Sequence, residues 1–539
     1  MGQHCRTVES STVQGRRSST ASWWVVAVGL ILLFVGFVFY WNGPNMVFDD
    51  AYISFRYARN LARGLGLVFN PGERVEGYTN FLWTLLLAGA ARAGIDIVVA
   101  SKVLATLAGG TIVWFLCYLG RYLAGRRDWI AAVLPALLFV TTGANSRYAV
   151  SGMETLLFGM LVCGGVTLYI CTPRTLKWMG GVGVLLGLAA ITRPEGAMYF
   201  ACLLIFDFVT GQRPLQFWDN ERFALIVGFV VFFLPFLLCR RVYYGDWLPN
   251  TYYAKASGLH WWRIRRGMTV LRTLTLQWHL WPLLIMSVLS FLHPHNRKWY
   301  ALMMLLTVVT MAYFVYIGGD FIVWFGPRFL MPVLPFIVTM VAGGVEAIKI
   351  STLSSRMTNW TVFATLVVLL VGGQIGFAWP HSYASWEALR VQMHGWEALG
   401  HWIAQNTPAD AVVATDAAGL IPYYGERTTI DMFGLTDRHI ARLEPANPVT
   451  PAHEKFDPNY ILDHHPDYIV STWMDENGVA VSAGLGSVRQ TFEASYELVA
   501  VARIREGSPP DGKWIVATSE YSTDLYQQGY VTGLFQCKK

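Results

Sequence analysis

Residues 48–83 read FDDAYISFRYARNLARGLGLVFNPGERVEGYTNFLW and follow the first strongly apolar segment of the chain. Two adjacent carboxylates, Asp49 and Asp50, are followed by arginines at 56, 59 and 63, by Glu73 and Glu76, and by an Asn70-Pro71-Gly72 turn. A plain connection between two membrane helices needs none of this inventory. Arg56, Arg59 and Arg63 fall at i, i+3 and i+7, on one stripe of a 3.6-residue helix, and Phe55, Ala58 and Ala62 fall on another. The pattern predicts a short amphipathic helix over 51–63 at a membrane interface, its basic face open to a phosphate and its apolar face toward lipid or the transmembrane core. Gly64 and Gly66 stop it. For the acids two readings stand side by side. Asp49 caps the helix and Asp50 serves its first turn, or the pair is a general base beside a phosphate leaving group.

The composition around this stretch is that of a polytopic membrane protein. Of 539 residues 54% are hydrophobic and only 14% charged, against about 25% charged in soluble domains. Apolar runs of about 20 residues recur, the length that crosses a bilayer core. The net charge of +6 is accounted for by basic loops on one side of the membrane, so no nucleic-acid partner is implied. The seven cysteines form no disulfide framework, since most lie in apolar spans and Cys537 is alone in the C-terminal region.

Residues 1–22 are polar and read as a disordered cytoplasmic N-terminus. Trp23 to Trp41 is expected to span first, and its basic flank of Arg6, Arg16 and Arg17 puts the Asp49 loop outside. Phe81 to Ala93 is too short to cross and is expected as a juxtamembrane helix, with the second span at Ile97 to Tyr122. Further spans are expected near 129–143, 154–171, 177–192, 196–210, 223–239, 269–291, 299–317, 328–348 and 360–379, about eleven transmembrane helices in a membrane domain of residues 23–379. Residues 380–539 are more polar. They predict an extracytoplasmic α/β domain, with a helix near 386–405 and strands near 411–415, 428–431, 467–471, 497–504 and 514–518.

The 48–83 stretch, together with GGDFIVWFGPRFLMP at 318–332 and ATDAAGLIPYYG at 414–425, resembles the GT-C superfamily of integral-membrane glycosyltransferases. Within it the chain is most similar to the mycobacterial terminal arabinofuranosyltransferase group, and more distantly to protein O-mannosyltransferases and lipid A aminoarabinose transferases. The resemblance implies a polyprenyl-phosphate sugar (a pentose such as arabinofuranose, or a hexose such as mannose) as donor. It further implies an active site on the extracytoplasmic face of a bacterial inner membrane, a cell-envelope glycan, lipid or protein as acceptor, and a first-loop acid as base. The superfamily pair is often Asp-X-Asp, whereas here the two are contiguous. This leaves open which is the base; Asp49 is the first choice, with Asp50 orienting the acceptor or organising the loop.

A lipid-phosphate sugar carries its own leaving group. The enzyme must deprotonate an acceptor hydroxyl and neutralise the departing phosphate. Candidates for the phosphate are Arg56, Arg59, Arg193, Arg241, Lys255 and Arg328, arginine being suited by its planar fork; for Arg328 the alternative is interfacial snorkelling. Secondary acids are Glu76, Glu154, Glu195 and Asp320, with first-turn and turn roles as the plainer alternatives for Glu154 and Asp320. No nucleotide site is required, and two or three of the carboxylates could hold one hard divalent cation. A transporter or flippase of polyprenyl-linked sugars is the competing function class, and paired halves with interrupted helices, its usual mark, are not seen.

Overall fold

The computed structural model describes residues 20–42, 47–124, 129–210, 219–256, 258, 260–277, 280–293, 295–320, 328–351, 365, 368–373, 379–446, 453–475, 477–503, 515–516 and 531–538. Nearly all of the polar N-terminus and most of the span expected at 360–379 lie outside the described residues. The N-terminal part is helical: α1 (Thr20–Asn42), α2 (Asp49–Ala62), α3 (Phe81–Arg92), α4 (Ile97–Ala124), α5 (Trp129–Thr141), α6 (Gly143–Val150), α7 (Thr155–Cys171), α8 (Leu176–Thr192), α9 (Glu195–Thr210), α10 (Asn220–Tyr244), α11 (Asn250–Lys255), α12 (Trp261–Gln277), α13 (Leu280–Leu289), α14 (Arg297–Tyr316) and α15 (Leu334–Ser351).

The count of eleven spans is not upheld. Among the described residues α4, α10 and α14 are long and apolar enough to cross a membrane, and a fourth crossing is added only if α12 and α13, which lie at 90° to each other, are taken as one broken span. The other apolar helices, Trp24–Tyr40, Ala132–Thr141, Thr155–Cys171, Leu176–Thr192 and Leu334–Ile348 among them, are shorter. A 17-residue helix rises about 25 Å, less than the roughly 30 Å of hydrocarbon. The segment expected to span at 129–143 ends in α5, and the loop expected after it forms α6, whose eight residues are all buried. The bundle still presents large apolar side chains outward, including Phe39, Leu107, Ile205, Val231 and Val288, as a membrane-embedded surface does.

Close helix contact depends on small residues. A Cβ on Gly183 would sit 2.1 Å from the Leu225 carbonyl oxygen, and one on Gly228 would sit 2.3 Å from that of Gly180. α8 and α10 are thereby allowed to meet backbone to backbone.

From α16 (Trp379–Asn406) the chain enters a six-stranded mixed sheet of order β2-β1-β3-β6-β4-β5. β1 (Val412–Thr415), β2 (Thr428–Asp431) and β3 (Tyr468–Ser471) are parallel neighbours, and β4 (Tyr496–Arg503), β5 (Ile515–Val516) and β6 (Val531–Cys537) complete it antiparallel. The five expected strands are present, the last only two residues long. β6 was not expected, although it lies between β3 and β4. Gly533 in its middle weakens the strand signal, and a Cβ there would meet the Met474 sulfur at 2.3 Å, so a larger residue would require the Met474 side chain to move. The sheet brings the C-terminal ends of β1 and β2 to α2, and these carry Asp416 and Asp431.

Candidate active site

The helix predicted over 51–63 is α2, but it is oriented otherwise than expected. Its basic stripe faces the C-terminal domain, not a phosphate. Buried Arg56 donates to the carbonyls of Pro422 (2.7 Å), Arg427 (2.7 Å) and Phe69 (2.9 Å) and to the side chains of Asn70 and Thr429. Arg59 pairs with Glu426 at 2.9 Å and lies over the Tyr423 ring. Nor does Asp49 cap its own helix: the N-cap is Phe48, with no side-chain cap bond. The Asp49 carboxylate instead accepts from the backbone N–H of Leu420 (2.6 Å) and Gly419 (3.2 Å), at the start of α17 (Leu420–Gly425).

Asp50, the next residue, turns to a cavity of about 1220 Å³ that includes open solvent. Its walls bring together Asp50, Glu154, Arg193, Glu195, Lys255, Asp320 and Arg328. Two arginine-centred clusters organise them. Arg328 donates to Asp50 and Asp320, each at 3.0 Å. Arg193 holds Glu154 at 2.7 Å and Glu195 at 3.1 Å, and Asn80 adds a second bond to Glu154 at 2.8 Å. Local sequence explains this second cluster: Pro194 disfavours helix at Arg193, whose extended backbone (φ −151°, ψ 140°) separates α8 from α9 and places Arg193 and Glu195 side by side.

A second, smaller cavity of about 500 Å³ adjoins the first and shares Asp50, Ile53, Lys255, Asp320, Arg328 and Leu435 with it. Its other walls are Asp49, Asp416, Asp431, Phe433 and His453. Asp416, Asp431 and His453 were not among the expected site residues. For Asp416 and Asp431 the available signal was their place just past or at the ends of parallel strands, where ligand crevices of α/β sheets form; His453, outside any strand, carried no such signal.

Burial, reinforced by Asp50 and opposed by the Leu420 N–H, pushes the Asp49 carboxyl up to about 7. For Asp50 burial acts the same way, but Lys255 and Arg328 outweigh it and hold the carboxyl below its ordinary range. Burial depresses Lys255, partly offset by Asp50, and raises Asp431 to about 6. The two members of the acid pair, one residue apart, are therefore in different protonation regimes.

Four candidates do not reach either cavity. Arg56 and Arg59 are the interdomain contacts just described. Glu76 is buried in a pair with Arg240 at 2.7 Å. Arg241 is exposed and donates to the Gly245 carbonyl. As for a cation, among the described residues no group of three or more His, Cys, Asp or Glu side chains is arranged to hold one. Asp50 and Asp320 are both occupied by Arg328.

Residues 384–526 match a family model described as a domain of unknown function, DUF8728. The chain is 30% identical over 284 residues to a terminal β-(1→2)-arabinofuranosyltransferase of Mycobacterium tuberculosis, covering 49% of this chain and 43% of that one. It is 23% identical over 447 residues to the protein of the same description in Corynebacterium glutamicum, covering 72% and 59%. The chain thus spans about half the length of the curated relatives it matches. In fold it is similar to ArnT of Cupriavidus metallidurans bound to undecaprenyl phosphate (TM-score 0.54, 14% identity, 84% of this chain and 93% of that one). It is also similar to the oligosaccharyltransferase AglB of Archaeoglobus fulgidus in complex with an inhibitory peptide and a dolichol-phosphate (TM-score 0.51, 11% identity, 92% and 74%).

Proposed function

We propose, for a chain of the GT-C glycosyltransferase superfamily related to the arabinofuranosyltransferases, that it transfers a sugar from a polyprenyl-phosphate donor to a hydroxyl of a cell-envelope glycan, with Asp50 as general base. The sugar is a pentose, arabinofuranose, by analogy with the two arabinofuranosyltransferases that the sequence resembles. The donor enters the larger cavity and the acceptor enters the smaller one, whose far wall the C-terminal domain provides. With the N-terminus inside, both cavities open on the extracytoplasmic side.

The observation that carries this reading is that Asp50 lines both cavities. A transferase needs its base where the two substrates meet. One Asp50 oxygen is held by Arg328, and its carboxyl is kept ionised at neutral pH. In the reaction the acceptor O–H gives its proton to Asp50, its oxygen bonds the anomeric carbon, and the bond from that carbon to the phosphate oxygen breaks. Polyprenyl phosphate leaves with the electron pair, and Lys255 and Arg328 face its charge. Asp49 was the first choice for the base from sequence; its carboxylate is engaged by two backbone amides, which favours Asp50.

The test is transfer from polyprenyl-phosphoryl arabinofuranose in membranes carrying single variants. Asp50→Asn is expected to lose about a thousandfold in kcat while donor binding persists. A fully active Asp50→Asn beside a dead Asp49→Asn would return the base to Asp49, and transfer by neither the wild type nor any variant would remove the reading.

A further inference from the structure

We infer that Asp49 is a positioning residue, whose carboxylate latches the first turn of α2 to the Gly419 turn of the C-terminal domain and so fixes Asp50 between the two cavities. The inference rests on the reading of Asp50 as the base.

Three observations converge on it. First, the contact is specific to carboxylate and glycine. Both Asp49 oxygens meet successive N–H groups, and a Cβ on Gly419 would lie 1.9 Å from the Asp49 backbone oxygen and 2.7 Å from its Cγ. No other residue at 419 permits the approach. Second, α17 is gripped at both ends by α2. Asp49 holds its start, while seven residues and about two turns further along α2 Arg56 takes the Pro422 and Arg427 carbonyls; Tyr52, between them, packs on Tyr423 and Tyr424 with ring centroids at 5.1 and 5.6 Å. Third, the start of α2 is packed in the core through Phe48, Ala51 and Tyr52, but that packing does not fix the direction of the two carboxylates, which is set by polar contacts. The Phe48 N–H reaches the Ser151 carbonyl at 3.0 Å, and Arg328 reaches Asp50 itself.

Asp50 is covalently next to the latch, so a displacement of Asp49 moves the base. A shift near 1 Å at a reacting group costs about a hundredfold in rate. The C-terminal domain therefore acts in catalysis through the backbone amides of residues 419 and 420, in addition to lining the smaller cavity.

The experiment combines kinetics with hydrogen exchange on the full chain in detergent. Asp49→Ala is expected to lower kcat by about 10 to 100-fold with donor KM within about twofold, and Asp49→Asn, which keeps one acceptor oxygen, to recover part of the loss. Gly419→Ala, which leaves every carboxylate in place, is expected to give the Asp49→Ala defect, and the double variant no further loss. The Gly419 and Leu420 amides are expected to exchange faster in Asp49→Ala and unchanged in Asp50→Asn. Unchanged protection in Asp49→Ala overturns the latch, as does an Asp49→Asn variant as inactive as Asp50→Asn with its protection intact. If the wild type shows no transfer, the proposed function fails while the exchange measurement still decides the latch.

Discussion

Helices α7 to α10 bury charge at both ends, and the two ends differ in what is left unfinished. At the end away from the cavities, Asp207 accepts from Arg174, from Tyr169 at 2.7 Å and from Arg222 at 2.6 Å, while Asp219 takes the Arg222 N–H at 2.6 Å. That network is closed, and its residues line neither cavity. At the other end, Arg193 and Arg328 also satisfy acids, but Asp50 keeps one oxygen without a hydrogen bond among the described residues and Lys255 has no ion pair or hydrogen bond among them. Both of these face open volume. A buried ion pair by itself marks only a fold held together; a charge left available beside a cavity marks chemistry.

The comparison breaks most visibly at the closed end. Asp207→Ala removes the acceptor shared by two arginines and a tyrosine and leaves Asp219 as the one remaining acid paired with both arginines. The expected loss is about 3–5 kcal/mol of stability, read as a lowered thermal midpoint in detergent, with transfer per folded molecule unchanged. A selective loss of activity without loss of stability would show that the far network communicates with the site.

At the open end the corresponding effect is a pH dependence. Asp49 and Asp431 hold their protons to about 7 and about 6 in the folded chain, against 3.8 for the unfolded groups. Between about pH 4 and 7 the folded state therefore binds more protons, and stability falls as pH rises through this window. Each proton contributes up to about 1.4 kcal/mol per pH unit, and with partial solvent access at Asp49 a total near 2–3 kcal/mol is expected. The titratable groups sharing the smaller cavity with Asp49 are Asp50, Asp320, Asp416, Asp431, Lys255, Arg328 and His453. Unfolding midpoints measured from pH 5 to 8 check this, and Asp49→Asn is expected to flatten the slope. A midpoint that rises across the window would contradict the assignment.

What the sequence revealed of this site follows the range of each interaction. The acid pair, the α2 helix and its stop at Gly64 depend on neighbours within a few residues and were legible. So were the short strands ending at Asp416 and Asp431. A helical wheel, however, shows that Arg56 and Arg59 share a stripe, not what the stripe faces. Their partners, the Pro422 and Arg427 carbonyls and Glu426, lie more than 360 positions away, and carbonyl acceptors leave no trace in residue identity. The junction of Asp50 with Asp431 and His453 was hidden for the same reason. The count of spans failed differently. Apolar composition measures burial in lipid or in protein alike, and α6, expected as a loop, and α7, expected as a span, are largely buried inside the bundle.

The smallest expected effect sharpens the open end. Lys255 ends α11 and faces both cavities, where Asp50 and Asp320 attract it and Arg328 repels it. If its ammonium meets the donor phosphate, Lys255→Gln removes one charge-assisted contact made in the ground state as well as the transition state. Donor KM then rises about tenfold, equivalent to about 1.4 kcal/mol, with kcat little changed. If Lys255 serves only to keep Asp50 ionised, the same variant leaves KM alone and instead lowers kcat on the acid side, because the Asp50 carboxyl moves back up toward its ordinary range. Steady-state kinetics with varied donor at pH 6 and 8 separate the two, and an unaltered KM at both would remove Lys255 from the phosphate site while leaving Asp50 in place.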